Sequence, residues 1–451
     1  MNSIPVQAAM GWGKSRSAPE QRTRVRLRDV LPPVAAVAVL TLAHLAFGAV
    51  QPAAALPLAG MLTIIAIVTV FAAGPRHITM GMMIGAGVIA VFGVTGLAGP
   101  LYRSAPSLAV LFAAGALWTI GYIASRHRRA LDIAWAALMW GAIAYCTWMF
   151  ILDVNAAPPG VNAIAGAFET PANASVLFGL LAIVATSKIL HVVKQMDAEA
   201  LPRAKMVEQL LRDGLSGILL LGLSFTCLTI VGSRPGIILT LGVLAAYVWW
   251  DTRSITMREH RGIVTRLAAF VTPFVAIGLM AWGVSLAWIS DETIAPGLGA
   301  SDIMPNIQRI QAYMGAWMDS PVFGHGPGSI SVEGNEAMTL FNAKAMHAPG
   351  EAHNFVVTWL VEAGIVGLAL LVLALAAMHT RLFAALKSRR TPRTFLRLAI
   401  MAGVLMLLHG MTDSSLDLPS AVWLYALLLG AACGVATGRR VEPVEKTEQE
   451  T

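Results

Sequence analysis

Residues 353–378 read HNFVVTWLVEAGIVGLALLVLALAAM, and this stretch decides the kind of fold. After His353 the run carries one ionisable side chain, Glu362. It is long enough to cross a bilayer, because about 20 helical residues span the hydrocarbon core. We therefore predict a membrane-spanning helix that has a histidine just before its first residue.

The whole chain shares this apolar character. It has 451 residues, of which 57% are hydrophobic and 13% charged, whereas a soluble protein carries about 25% charged residues. Such a chain cannot cover its surface with polar groups, so most of that surface must face lipid. The net charge of +7 then reports membrane topology rather than binding to nucleic acid.

We predict an all-α polytopic membrane protein with twelve spans, nine of them in residues 32–289 and three in residues 354–437. A basic cytoplasmic tail, 1–31, precedes them, and a disordered cytoplasmic tail, 438–451, follows. The approximate spans are 32–50, 56–73, 78–98, 105–124, 131–152, 174–193, 214–232, 235–250, 267–289, 354–378, 395–411 and 417–436.

The basic residues predict the orientation of these spans. With the N-terminus in the cytoplasm, nearly all Lys and Arg outside the spans fall on the cytoplasmic side. The outer side holds only Arg103, Arg234, Arg309 and Lys344. This asymmetry is the positive-inside pattern, and it fits an even number of spans with both termini cytoplasmic.

Residues 290–353 form one long outer segment, called here the large loop. A loop of this length carries a function or a structure of its own. Residues 304–319 predict an amphipathic helix against the outer rim of the bundle, with Arg309 at the edge of its apolar face beside Tyr313. We expect Pro305 near its start and place four residues on its apolar face, namely Ile307, Ile310, Met314 and Trp317. Residues 320–330, SPVFGHGPGSI, predict turns.

Arg234, Arg309 and His353 come from distant parts of the chain, yet the topology brings all three to the outer face. Two guanidiniums and an imidazole suit anion binding with proton transfer, because arginine donates paired hydrogen bonds to a phosphate or diphosphate. Other interpretations stay open. Arg234 is also typical of an arginine that snorkels to the interface, and Arg309 of a solvated charge.

His353 lies where the positive end of a helix dipole disfavours an imidazolium. We expect a neutral imidazole that accepts a proton, with a loop-capping histidine as the alternative. His325 and His347 lie in the same loop as weaker candidates. A metal site built from these three histidines lacks the regular spacing of zinc ligands, and we do not predict one.

Glu362 lies about 13 Å along the span from His353, at 1.5 Å per residue. A carboxylate at that depth needs a partner or a wet cavity, so it either supports the substrate or is paired structurally. Asp413 and Asp417, at the outer rim, are further hydrogen-bond acceptors.

Several chemistries lack their motifs. The chain has no Walker loop, and the turn at 324–329 is not a dinucleotide fingerprint because no strand precedes it. The outer side also lacks an acidic cluster that would hold a divalent metal against a diphosphate. We therefore predict no metal and no cofactor.

These features together resemble the O-antigen ligase family, part of a superfamily that includes O-antigen polymerases. The resemblance rests on twelve spans, on the pair Ser233-Arg234 at an outer helix junction, and on an arginine-bearing helix in a large outer loop. It also rests on P-x-F-G-x-G at 321–326, H-N-F at 353–355 and E-A-G-I-V-G at 362–367.

The resemblance implies a GT-C-like fold in the bacterial inner membrane, with a large periplasmic loop that contains short helices and a periplasmic active site. It implies glycosyl transfer from undecaprenyl-diphosphate-linked O-antigen to a sugar hydroxyl of the lipid A-core, inverting and without metal. His353 would be the general base, and Arg234 and Arg309 would bind the diphosphate. Glu362, His347 and Asp413 are candidates for supporting roles.

Two other functions stay open at this stage. An O-antigen polymerase uses the same donor chemistry and differs in its acceptor. A lipid or polysaccharide transporter would instead place broken helices and paired charges near the bilayer midplane. The polar groups singled out above gather at one rim, which favours an enzyme.

Overall fold

The structure is a computed structural model that describes residues 27–49, 51–74, 101–155, 168, 171–199, 203–256, 300–346, 352–387, 393–412 and 418–437. Over these ranges the chain is helical and contains no strand. Its α-helices, in chain order, are α1 (Leu27–Leu45), α2 (Pro52–Ala73), α3 (Leu101–Ala124), α4 (Arg128–Asn155), α5 (Pro171–Glu199), α6 (Arg203–Val231), α7 (Arg234–Thr256), α8 (Ala300–Asp319), α9 (Ile330–Glu336), α10 (Phe355–Leu386), α11 (Arg393–Thr412) and α12 (Pro419–Thr437).

Ten of the described helices, all except α8 and α9, are long and apolar enough to cross a membrane. The protein is therefore a multi-pass α-helical membrane protein, as the sequence predicts. These ten helices coincide with ten of the twelve predicted spans. The other two predicted spans, 78–98 and 267–289, lie outside the described residues.

Several helices extend beyond the apolar runs from which the spans were predicted. Helix α1 begins at Leu27, inside the segment expected to be a tail, and α10 continues to Leu386, well past the expected end at 378. Charged and polar residues such as Arg, Lys, Glu and Gln are good helix formers, so a helix does not stop where the membrane does.

Helix α5 lies at the centre of the described bundle. Most of its membrane-spanning part is buried by protein, and it packs against α6, α7, α11 and α12. Around it, α3 packs against α12 and α2, and α1 against α4. Small residues bring α3 and α12 close together, because a Cβ on Gly121 would lie 2.5 Å from the carbonyl oxygen of Leu427.

The helix ends gather at two opposite ends of the bundle. At the first, called here the loop end, Asn354 Nδ2 donates to the carbonyl oxygen of Met411 over 3.0 Å, which joins the start of α10 to the end of α11. Gly328 of the large loop also lies against the carbonyl group of Arg103 at the start of α3. The predicted order of the spans also places the starts of α3 and α10 and the end of α11 on the same side of the membrane.

The opposite end is called here the basic end. There Arg126, after α3, donates to the hydroxyl of Thr437 at the end of α12 over 3.4 Å. Asp251 of α7 contacts Lys194 of α5 and Arg397 of α11. The described helices therefore alternate in direction as the span order requires, and the assignment of the basic end to the cytoplasm stays a prediction.

Candidate functional site at the loop end

Arg309 lies on α8 and is buried, with 4% of its surface exposed. Its Nε and Nη2 groups donate to the carbonyl oxygen of Ala345 over 2.9 and 2.7 Å. These two bonds hold the plane of the guanidinium against the end of the large loop. The alternative of a freely solvated charge at Arg309 is therefore wrong.

The buried face of α8 differs from the predicted one. Arg309, Tyr313 and Ala316 are its buried residues, at spacings of four and three, whereas Ile307 is 43% exposed. Helix α8 also begins at Ala300, before Pro305 rather than near it. The predicted face was rotated because hydropathy assigns a guanidinium to solvent, and here the loop carbonyl makes burial of Arg309 favourable.

Helix α8 packs along the first part of α10. Tyr313 shares a small apolar cluster with Val357, Val361, Met346 and Ala352. The cluster joins three parts of the chain, namely α8, the end of the described loop and the start of α10. The predicted amphipathic helix therefore exists, and it packs against the membrane helix α10.

Two sets of contacts fix how α8 and α10 align. His325 Nε2 lies 2.9 Å from the carbonyl oxygen of Ala316, while its backbone N–H donates to the carbonyl oxygen of Val361. Further along, the carbonyl oxygen of Pro321 accepts from Ile365 N over 3.0 Å. The direction of the two helices follows from α8 itself, because Tyr313 clusters with Val357 and Val361, and Pro321, just after α8, bonds to the later residue Ile365. Helices α8 and α10 therefore run in the same direction.

This alignment brings Arg309 and His353 to the same end of the helix pair. Arg309 lies about 10 Å before Ala316 along α8, and His353 about 12 Å before Val361 along α10, at 1.5 Å per residue. Arg309 precedes Ile310, which packs against the cluster that contains Tyr313, and His353 follows Ala352, which belongs to it. Arg309 and His353, two of the three residues that the sequence predicts for the site, therefore lie toward the same end of this helix pair.

His353 has a backbone conformation that is uncommon for its residue type. Its φ is +49°, in the left-handed region that non-glycine residues rarely adopt. Asn354 then caps α10, because its Oδ1 accepts from Val356 N and Val357 N over 3.0 and 3.2 Å. The cap and the bond to Met411 O hold the chain direction at His353.

Arg234 is the first residue of α7, at the loop end, and its side chain is outside the described part of the structure. Its neighbour Ser233 is buried and accepts a hydrogen bond from Gly236 N over 3.3 Å. Gly236 packs directly against Ser175 of α5. The start of α7 is therefore fixed against the central helix, and the convergence of Arg234 with Arg309 stays a prediction.

Helix α10 is broken at Gly364, which the sequence does not predict. Gly364 has φ +64° and ψ −171°, so the helix from Phe355 to Leu386 consists of two helical parts joined at this residue. The turn at 321–326 of the large loop docks into the break through backbone hydrogen bonds. The two motifs P-x-F-G-x-G and E-A-G-I-V-G therefore contact each other.

Glu362, just before the break, has a structural partner. Its Oε1 accepts from Gly328 N over 2.9 Å, and the backbone N–H of Ile330 also bonds to the carboxylate. Of the two roles that the sequence leaves open, this geometry favours structural pairing. His347, Asp413 and Asp417 lie outside the described residues.

His325 is also engaged within the loop. Besides the contact with Ala316 O, its Nδ1 lies 3.3 Å from Glu333 Oε1 of α9. The imidazole thus connects α8 to α9. In the described part of the chain, no group of three or more His, Cys, Asp or Glu is arranged to hold a metal.

Sequence reasoning missed an ionic network at the basic end. Asp251 is fully buried, and its Oδ1 accepts from Lys194 Nζ at 2.6 Å and Arg397 Nη1 at 2.7 Å. Lys194 also donates to Thr394 Oγ1 over 3.0 Å, and the Arg397 guanidinium lies over the Trp250 ring. The sequence offered no clear signal for it, because the three charged residues come from three helices that are distant in the chain.

The fold and the loop-end geometry define a class of protein. It is a multi-pass helical membrane protein in which a buried arginine of the large loop and the histidine that precedes a membrane helix lie toward the same end of two packed helices. The loop is fixed to that span through a helix break.

The family described as O-antigen ligase has a model that matches residues 219–372 of this chain. The match runs from α6 into α10 and includes Arg234, Arg309, His353 and the helix break. The resemblance to this family that the motifs predict is therefore confirmed over these residues. The match supports a membrane glycosyltransferase-like function of the O-antigen ligase or polymerase type. No curated protein matches the chain closely.

Proposed function

We propose that this protein is an O-antigen ligase of the bacterial inner membrane. It transfers a polysaccharide from undecaprenyl diphosphate to a sugar hydroxyl of the lipid A-core at the periplasmic face. The family match over residues 219–372 supports the class of reaction. The lipid nature of both substrates accounts for an active site placed at the end of a membrane bundle.

One observation carries the assignment of roles. Arg309 and His353 lie toward the same end of two packed helices, and each is next in sequence to a residue of one apolar cluster or its margin. A cation and a proton acceptor at the same end of a helix pair suit a reaction in which a diphosphate leaves as a hydroxyl attacks. The fixed guanidinium plane of Arg309 suits a planar, charge-assisted contact with phosphate oxygens.

The proposed step is a direct displacement. The imidazole of His353 takes the proton of the acceptor hydroxyl, and the hydroxyl oxygen forms a bond to the anomeric carbon of the donor. The bond from that carbon to the diphosphate oxygen breaks, and undecaprenyl diphosphate leaves with the electron pair. Arg309 and Arg234 stabilise its developing negative charge, so the step needs no metal and inverts the anomeric centre.

The decisive experiment is reconstitution of the purified protein with lipid-linked polysaccharide and lipid A-core, with and without chelator. We expect polysaccharide joined to lipid A-core at equal rates in both arms. Elongation of the lipid-linked donor instead would identify a polymerase. Loss of transfer in chelator would contradict the metal-independent step.

Two substitutions test the proposed roles. His353→Ala is expected to lower kcat by about 100- to 10,000-fold, the usual contribution of a general base, while donor binding persists. Arg309→Lys is expected to slow transfer at least about tenfold, because an ammonium lacks the paired donors of a guanidinium. His127→Ala and Arg212→Lys, at exposed positions near the basic end, serve as matched controls. Transfer at the wild-type rate by His353→Ala and Arg309→Lys would contradict the proposed roles of His353 as general base and of Arg309 in diphosphate binding.

A further inference from the structure

The break in α10 is a site where two segments exchange hydrogen bonds. In a continuous helix, Ile365 N would donate to Val361 O and Val366 N to Glu362 O. Here the carbonyl oxygens of Val361 and Glu362 accept instead from His325 N and Gly326 N, over 2.8 and 2.9 Å.

The two helical donors are satisfied in the same way. Ile365 N donates to Pro321 O over 3.0 Å and Val366 N to Val322 O over 3.2 Å. The turn at 321–326 therefore replaces both partners of two lost helical bonds. Within a membrane-spanning helix such groups need protein partners, because lipid offers none. The break and the docked turn depend on each other.

Glycine at two positions makes the close contact geometrically feasible. Gly324 has φ +68°, and a Cβ there would lie 2.5 Å from the carbonyl carbon of Glu362. Gly364 has φ +64°, and a Cβ there would collide with the main chain of Val322. Any side chain at either position meets backbone atoms and an unfavourable φ together.

Glu362 adds a third fixed point next to the break. Its carboxylate holds Gly328 N, and Gly328 lies against the carbonyl group of Arg103 at the start of α3. The large loop is thus held between α10 and α3. The contact between Glu362 and Gly328 N requires an acceptor oxygen on the side chain at position 362.

We propose that this junction, formed by residues 321–328 and 361–366, is the positioning device of the transfer site. It fixes α8 relative to α10 and so determines the position of Arg309 relative to His353 along the two helix axes. Gly324, Gly364 and Glu362 are positioning residues for the reaction. The kinetic part of the inference rests on the proposed function, whereas the docking of the loop does not.

The size of the effect follows from helix geometry. A slip of one residue between α8 and α10 moves Arg309 by about 1.5 Å relative to His353. A misplacement of about 1 Å between reacting groups lowers rates by up to about 100-fold. Since each substrate would still meet its own binding residues, the loss is expected in kcat rather than in KM.

The first test compares Gly364→Ala with Gly315→Ala. Gly315 lies in α8 with open space around its Cα, so it receives the same substitution without a collision. We expect Gly364→Ala to lower kcat at least about tenfold and to change the donor KM by less than about threefold, with Gly315→Ala unchanged. Wild-type kcat for Gly364→Ala would overturn the proposal.

The second test separates positioning by Glu362 from a direct chemical role. Glu362→Gln keeps an acceptor oxygen for Gly328 N, whereas Glu362→Leu does not. We expect Glu362→Gln to retain activity and Glu362→Leu to behave like Gly364→Ala. Equal loss in both Glu362 variants would show that the charge itself is needed and would overturn the positioning role. Glu362→Leu also provides the loosened junction if Gly364→Ala fails to accumulate in membranes.

A readout without catalysis separates this inference from the proposed function. Protease added to membranes with the loop end exposed should cut the large loop faster in Gly364→Ala and Glu362→Leu than in wild type, Gly315→Ala or Glu362→Gln. Equal cleavage rates in all five proteins would overturn the docking. A wild-type protein without transferase activity that shows the predicted cleavage differences would instead refute the proposed function alone.

Discussion

Replacement of Asp251 by asparagine is expected to destabilise the bundle at its basic end. Asp251 is fully buried, and one of its oxygens is shared by the ammonium of Lys194 and the guanidinium of Arg397. Removing one partner of a buried ionic pair costs about 3–5 kcal/mol, because the remaining charge stays buried. Asparagine keeps an acceptor oxygen, so we expect the lower end, about 3 kcal/mol.

The chain carries its own reporters for this measurement. Cys146, Cys227 and Cys433 are free and buried, so a thiol-reactive dye in detergent labels them as the protein unfolds. A loss of about 3 kcal/mol should lower Tm by roughly 5 °C, since the shift per kcal/mol is smaller in longer chains. Asp213→Asn is the matched control. It affects the largely solvent-accessible Asp213–Arg212 pair at 3.1 Å, and surface pairs contribute about 0–1 kcal/mol.

A second substitution tests the cause of the effect. With Asp251→Asn in place, Lys194→Met removes one of the two cations that are left facing each other. The double variant should therefore regain part of the lost Tm. Equal Tm changes for Asp251→Asn and Asp213→Asn, or a further fall in the double variant, would refute the account based on shared charge.

Two further predictions concern helix packing and capping. Gly430→Ala should lower Tm by several degrees, because Gly430 lies against the main chain of α3. Gly242 has open space around it, so Gly242→Ala should leave Tm unchanged or slightly raised. Melting followed with the thiol-reactive dye distinguishes the two variants. Asn354→Ala should lose about 1 kcal/mol of capping and slow transfer by disturbing His353, while Asn354→Asp keeps the cap and loses only the bond to Met411, so it should melt closer to wild type. Identical melting of both Asn354 variants would contradict the assigned cap.

Most of the membrane helices could be predicted from the sequence because burial in lipid imposes a simple requirement on composition. An apolar run of about 20 residues is sufficient to identify a span. The start of α10 was similarly readable, since the sequence predicts a helix that opens at Asn354, and the structure gives that residue the cap. Helix ends such as Leu386 were less predictable because helices continue into water.

The helix break could not be predicted because its cause lies elsewhere in the chain. Gly364 sits in an apolar run, and glycine is common in membrane helices for reasons of packing. The docked turn that satisfies the broken bonds begins some 40 residues earlier, at Pro321. The orientation of Arg309 escaped prediction for a similar reason, since Ala345 O, which accepts from its guanidinium and offsets part of the cost of its burial, lies 36 residues away.

The ionic network at the basic end shows the same limitation. Lys194 and Arg397 look like the other basic residues at helix ends, and only their spatial approach to Asp251 distinguishes them. Their separations along the chain, 57 and 146 residues, leave no local pattern to detect. The charge of Asp251 did not mark it either, because Asp132 and Asp213 lie near the same helix ends.

The central place of α5 has a consequence for how the protein must be assembled and handled. Its neighbours include α6 and α7 from the middle of the chain and α11 and α12 from its end. The matched segment 219–372 contains neither α5 nor α11, so its α7 would lose the surfaces it packs against. We therefore expect that an excised fragment with those limits would not mature into a stable unit. Synthesis must reach the final hairpin before the centre of the protein closes.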